Sequence, residues 1–77
     1  MGNVEQITVI INKTGEKKTF SVTSYSTQRA LKHIIEKGLS VEEAERRAKI
    51  APGSILKLLE QGRPLPSKYT PLLFSYL

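Results

Sequence analysis

The stretch GLSVEEAERRAKIAPGSILKLLEQGR, residues 38–63, decides how this chain is read. Ser40-Val41-Glu42-Glu43 has the form of a capping box, with Ser40 as N-cap and Glu43 three residues on, so it predicts a helix from Ser40 to about Lys49. Val41, Ala44 and Ala48 form its apolar stripe. Acids precede bases along it, the order that complements a helix macrodipole. Pro52 suits the first turn of a further helix, where its missing N–H costs nothing. That helix is expected over residues 52–61, with Ile55, Leu58 and Leu59 as its apolar face and Gly62 at its end.

Working outward toward the N-terminus, Thr23 to Thr27 offer several N-cap candidates before Ala30, Leu31, Ile34 and Ile35 recur at helical spacing, and Gly38 closes that helix. Before it the period is two. Ile7, Val9 and Ile11 share one face of residues 4–12, and Phe20 and Val22 share a face of residues 17–22. Asn12-Lys13-Thr14-Gly15-Glu16 supplies the turn between them. Gly15-Glu16-Lys17-Lys18-Thr19 lacks the first glycine of a phosphate-binding loop and no helix follows it, so it is read as that same turn. Toward the C-terminus, Pro64 and Pro66 prevent continuation of the third helix. Ser67 or Thr70 is expected to cap a last helix carrying Leu72, Leu73, Tyr76 and Leu77. The element order is ββαααα in a single domain over residues 1–77, with a hairpin at 4–22 and a helical core at 25–77. The fold class is α+β, mainly α.

Seventy-seven residues leave no room for a separate catalytic domain, and at this length one core supplies only about 3–5 kcal/mol, so a partner subunit is a natural source of further stability. The absence of cysteine excludes disulfides, thiolate-bound zinc and thiol nucleophiles, and a single histidine leaves no metal-ligand cluster. No cofactor and no enzymatic activity are expected. His33 reads as a boundary or surface residue, and Tyr25, Tyr69 and Tyr76 as residues at the edge of the core. No apolar run is longer than Val9-Ile10-Ile11, far short of the ~20 residues that span a membrane, so the expected location is the cytoplasm. Met1-Gly2 begins like an acylation signal, but Gln6 stands where that signal carries Ser or Thr.

Twelve basic against seven acidic side chains give a net charge of +5, which satisfies the first requirement of a polyanion-binding module. The surplus lies outside the central segment: residues 39–62 hold four bases and four acids and are neutral.

Residues 38–77, from Gly38-Leu39-Ser40 through Gly62-Arg63-Pro64-Leu65-Pro66-Ser67 to Leu72-Leu73, resemble the helix-turn-helix domain of Cro-type (XRE-like) phage and plasmid repressors. With residues 27–37 as the preceding helix, the resemblance covers about two thirds of the chain. Two positions depart from the pattern: Glu45 stands where the family carries a small residue, and Lys49 where it carries the glycine that opens the turn. The interval from Ile55 to Gly62 is also one residue longer, as in excisionases and recombinase-type domains. The resemblance implies a compact three- to four-helix helix-turn-helix domain behind the added hairpin. It also implies a sequence-specific regulator that inserts helix 52–61 into the major groove of double-stranded DNA as a homodimer.

On that reading Ser54, Leu56, Lys57 and Gln61 are the base-reading candidates: Lys57 for guanine acceptors, Gln61 for adenine, Leu56 for a thymine methyl, and Ser54 for base or phosphate. Arg29, Lys32, Arg46, Arg47, Lys49, Arg63 and Lys68 are the phosphate candidates, and Lys13, Lys17 and Lys18 would make the hairpin a wing. The alternative for Arg46 and Arg47 is pairing with Glu42 and Glu43 at i,i+4 spacing. Two other functions fit the same residues. One is an adaptor or inhibitor that binds a protein through Ile55-Leu56-Lys57-Leu58-Leu59, and the other is an excisionase-like recombination factor.

Overall fold

A computed structural model describes residues 3–77; Met1 and Gly2, where the acylation pattern begins, lie outside it. Strands β1 (Glu5–Ile10) and β2 (Lys17–Val22) pair antiparallel, with Ile7 opposite Phe20 and Val9 opposite Lys18. Ile11 N–H donates to the Glu16 carbonyl at 2.7 Å, and Gly15 takes φ 89° with its N–H on the Asn12 carbonyl at 3.1 Å. The Asn12 side chain accepts from Thr14 N–H at 3.0 Å, the local bond that makes asparagine a turn residue. The ribbon is two-faced. Gln6–Ser21 and Thr8–Thr19 hydrogen bonds at 2.8 and 2.7 Å cross its solvent side, while Ile7, Val9 and Val22 are buried beneath.

Four helices follow: α1 (Tyr25–Glu36), α2 (Val41–Ala48), α3 (Ser54–Glu60) and α4 (Tyr69–Tyr76). Ser24 caps α1, accepting from Thr27 N–H at 3.4 Å. Ser40 caps α2, accepting from Glu43 N–H at 3.1 Å. The Glu43 carboxylate pairs with Arg47 at 3.6 Å instead of returning to complete a capping box. Helix and hairpin residues form one apolar cluster in which Ala30, Leu31, Ile34, Ala44, Ala48, Ile55 and Leu73 are wholly buried. The ribbon is tied down at several points. Gln28 Nε2 donates to the carbonyls of Val22 and Asn3 at 2.7 and 2.8 Å, Glu42 N–H donates to the Ile11 carbonyl at 3.1 Å, and Lys32 pairs with Glu5 at 2.6 Å. A two-stranded ribbon is marginal in water, and here its apolar face and its ends are all held by the helices.

Three expectations from the sequence are corrected. The helix expected over residues 52–61 runs only from Ser54 to Glu60, because Pro52 and Gly53 are the central pair of a turn. Ser54 N–H closes on the Ala51 carbonyl at 3.2 Å, and Gly53, at φ 84° and ψ −6°, occupies the position of a type II turn that favours glycine. Neither Ser67 nor Thr70 caps α4, whose N-cap position is Lys68 with no side-chain bond, and Thr70 lies inside the helix. Ile35, expected on the buried face of α1, is 43% exposed, and Tyr76 of α4 is also exposed. The buried stripe of α1 is Thr27, Ala30, Leu31 and Ile34, and Ile35 stands about 100° around the helix from Ile34.

Candidate nucleic-acid interface

The geometry of α3 begins with Glu45. This residue is 2% exposed on α2, and its carboxylate accepts from Gly53 N–H at 3.0 Å and Ile55 N–H at 2.8 Å. Gly53 brings no side chain to the cap, so α2 supplies one from across the turn. The start of α3 is thereby fixed to α2. Its far end is fixed by Gly62 at φ 71°, with Gly62 N–H on the Leu59 carbonyl and Arg63 N–H on the Leu58 carbonyl, a Schellman closure.

Between these ends Ile55 and Leu59 enter the core. Ser54, Lys57 and Gln61, at i, i+3 and i+7, then share one side of the helix and line an open cleft with Leu58, Arg63, Pro66 and Tyr69. Lys57, Gln61 and Arg63 are exposed and Ser54 is half-buried. Among the described residues no carboxylate lines this cleft. Glu60, the nearest acid on the helix, is engaged with Lys18 of β2 at 3.2 Å. Lys68 stands over the Tyr69 ring at 5.8 Å, at the start of α4.

Leu56 is apart from the other base-reading candidates. It lies on the far side of α3, half-buried in a second groove with Ile11, Val41, Pro52 and Gly53. Of the remaining basic candidates, Lys18, Lys32, Arg46 and Arg47 each face a glutamate: Glu60, Glu5, Glu42 at 3.8 Å and Glu43, respectively. Exposed pairs of this kind contribute about 0–1 kcal/mol and can be given up to a stronger partner. Arg29 is on another surface, where its guanidinium stacks on Tyr25 at 5.9 Å and on Phe74 at 5.5 Å. The His33 ring packs against the same Phe74 at 4.6 Å, with a buried Nε2 that has no hydrogen-bond partner among the described residues. Lys13 and Lys17 are exposed at the hairpin turn, and Lys49 is exposed in the α2–α3 turn. Tyr69 is half-buried in the cleft, whereas Tyr25 and Tyr76 are exposed.

Glu45 is the residue that sequence reasoning missed. It was legible as the i+4 member of the i, i+3, i+4, i+7 set Val41, Ala44, Glu45, Ala48, a carboxylate on the face that packs inward. Leu65, buried between two prolines, was missed too; its N–H donates to the Thr27 hydroxyl at 3.0 Å. Comparison with family models, curated proteins and solved structures finds no match to this chain. Among the described residues no helix is long and apolar enough to cross a membrane.

Proposed function

We propose that this chain is a small, non-enzymatic DNA-binding regulator of the helix-turn-helix kind, in which α3 enters the major groove of duplex DNA. The observation that carries the reading is the convergence of Ser54, Lys57 and Gln61 on one carboxylate-free cleft with Arg63 at its edge. Lysine and glutamine supply the donor and the donor–acceptor pair that guanine and adenine edges accept, and Arg63 and Lys68 are available for phosphates on the same side. At 1.5 Å per residue the seven residues of α3 extend about 10 Å, enough for roughly three base pairs. So short a reader needs a second copy for specificity, so the working form is a dimer on half-sites ~34 Å apart. Repression in a phage or plasmid setting is the context that the sequence resemblance favours, with an excisionase-like role sharing the same DNA chemistry.

A continuous apolar patch of Leu56 with Leu72 or Leu73 would favour the adaptor reading. Leu73 is fully buried and Leu56 faces the Ile11–Pro52 groove, away from Ser54, Lys57 and Gln61, which supports the DNA reading over the adaptor on this helix. Selection from a random duplex library tests the DNA reading. The expected result is one enriched motif, with Lys57→Ala relaxing preference at a single base pair at a cost of about 1–3 kcal/mol. Failure of the folded protein to enrich any sequence would overturn it.

A further inference from the structure

Three of the four helices end on the same backbone device, and one of the three is built from the wrong residue. After α1, Gly38 N–H reaches the Ile35 carbonyl at 2.9 Å and Leu39 N–H the Ile34 carbonyl at 3.3 Å. After α2, Lys49 N–H reaches the Arg46 carbonyl at 3.3 Å and Ile50 N–H the Glu45 carbonyl at 2.8 Å. The corresponding bonds after α3, from Gly62 and Arg63, are 3.1 and 2.9 Å. The left-handed residue has φ 70° at Gly38, 59° at Lys49 and 71° at Gly62. Glycine takes this conformation freely, and a side chain with a Cβ does not. Lys49 is the only non-glycine residue with positive φ among the described residues.

Crowding does not explain the two glycines, since a Cβ at Gly38 or Gly62 would meet nothing within 4 Å. The difference between the three positions is therefore conformational strain at Lys49. That strain persists because both neighbours, Ala48 and Ile50, are buried in the core, and because the Glu45 carboxylate fixes the far side of the turn through the N–H groups of Gly53 and Ile55. Lys49 makes no ion pair among the described residues, whereas four other bases do, and Arg46 and Arg47 already place positive charge in the last turn of α2.

We infer that Lys49 is a phosphate-binding residue, retained in a strained turn because its ammonium, displayed from the rigid segment just ahead of α3, meets a phosphodiester of the DNA backbone. This assignment rests on the duplex-binding reading above and adds to it the residue that fixes register. Strained backbone of this kind clusters at binding sites, and here glycine would relax it at the cost of the ammonium.

The test compares wild type with Lys49→Gly and Lys49→Gln by thermal melting and by anisotropy titration of a fluorescent random-sequence duplex at several salt concentrations. Lys49→Gly is expected to raise the melting midpoint by several degrees. It should also weaken duplex binding several-fold and lower the slope of log affinity against log salt by about 0.9. Lys49→Gln keeps the strain and removes only the charge, so it should melt like wild type and bind as weakly as Lys49→Gly. If wild type binds and both variants match its affinity and salt slope, the Lys49 assignment is wrong and the duplex reading stands. A lowered midpoint for Lys49→Gly would also overturn the assignment, by removing the strain on which it depends. If wild type has no affinity for duplex, the functional reading fails and Lys49 with it.

Discussion

Replacing Glu45 with alanine removes one carboxylate that holds two helices in register. The loss comprises two hydrogen bonds to a charged acceptor, at 3.0 Å from Gly53 N–H and 2.8 Å from Ile55 N–H. Bonds of this type contribute about 1.5–3 kcal/mol each. The two ends differ, however. Ile55 is fully buried and its N–H has no water to turn to, whereas Gly53 is exposed and its N–H rehydrates. Relief of the carboxylate's own desolvation works in the opposite direction. The net loss expected for Glu45→Ala is therefore about 2–4 kcal/mol. That is most of the roughly 3–5 kcal/mol that one core of this length supplies, and in a domain this small each kcal/mol shifts the melting midpoint by about 4–8 °C. The midpoint should fall on the order of 10–25 °C. Glu45→Gln, which keeps one carbonyl oxygen as acceptor, should lose about half as much. Urea unfolding followed by circular dichroism gives the free energies, and amide exchange at Ile55 reports the local bond. A loss below about 0.5 kcal/mol for Glu45→Ala, with Ile55 protection unchanged, would refute the idea that α2 caps α3.

Two further outcomes are expected. Ser40→Ala removes the bond from Glu43 N–H at 3.1 Å and should cost about 1 kcal/mol at an unchanged denaturant slope, because only the cap is lost. Arg63→Ala should lower duplex affinity at every sequence and reduce the salt slope by about 0.9, while Arg46→Ala, whose guanidinium already lies 3.8 Å from Glu42, should reduce the slope less.

Most of the architecture could be read from local chemistry. Period-two alternation marked the hairpin, and Ser40 followed by Glu42 and Glu43 marked the start of α2, because these signals act within one element. The misreadings arose where two local rules compete or where a partner is distant in sequence. Pro52 satisfies both the first turn of a helix and the second position of a turn. Gly53 decides for the turn, since its φ of 84° has no place inside a helix. Ile35 follows Ile34 and looks equally apolar, but a helix of 12 residues against one sheet and one other helix buries a single stripe, which passes through Ile34. Of the site, Ser54, Lys57 and Gln61 were legible from their spacing. The same period places Leu56 on the opposite side of α3, whereas the engagement of Lys18 by Glu60 depends on how the hairpin packs beside α3, which no local pattern encodes.

The central claim is that duplex DNA meets the cleft side of α3, and mapping amide resonances of the protein during titration with its selected duplex tests this most directly. Shifts centred on Ser54, Lys57, Gln61 and Arg63, with Tyr25 and Phe74 unmoved, are the predicted result. Perturbation confined to the Tyr25–Arg29–Phe74 surface, with α3 silent, would contradict it.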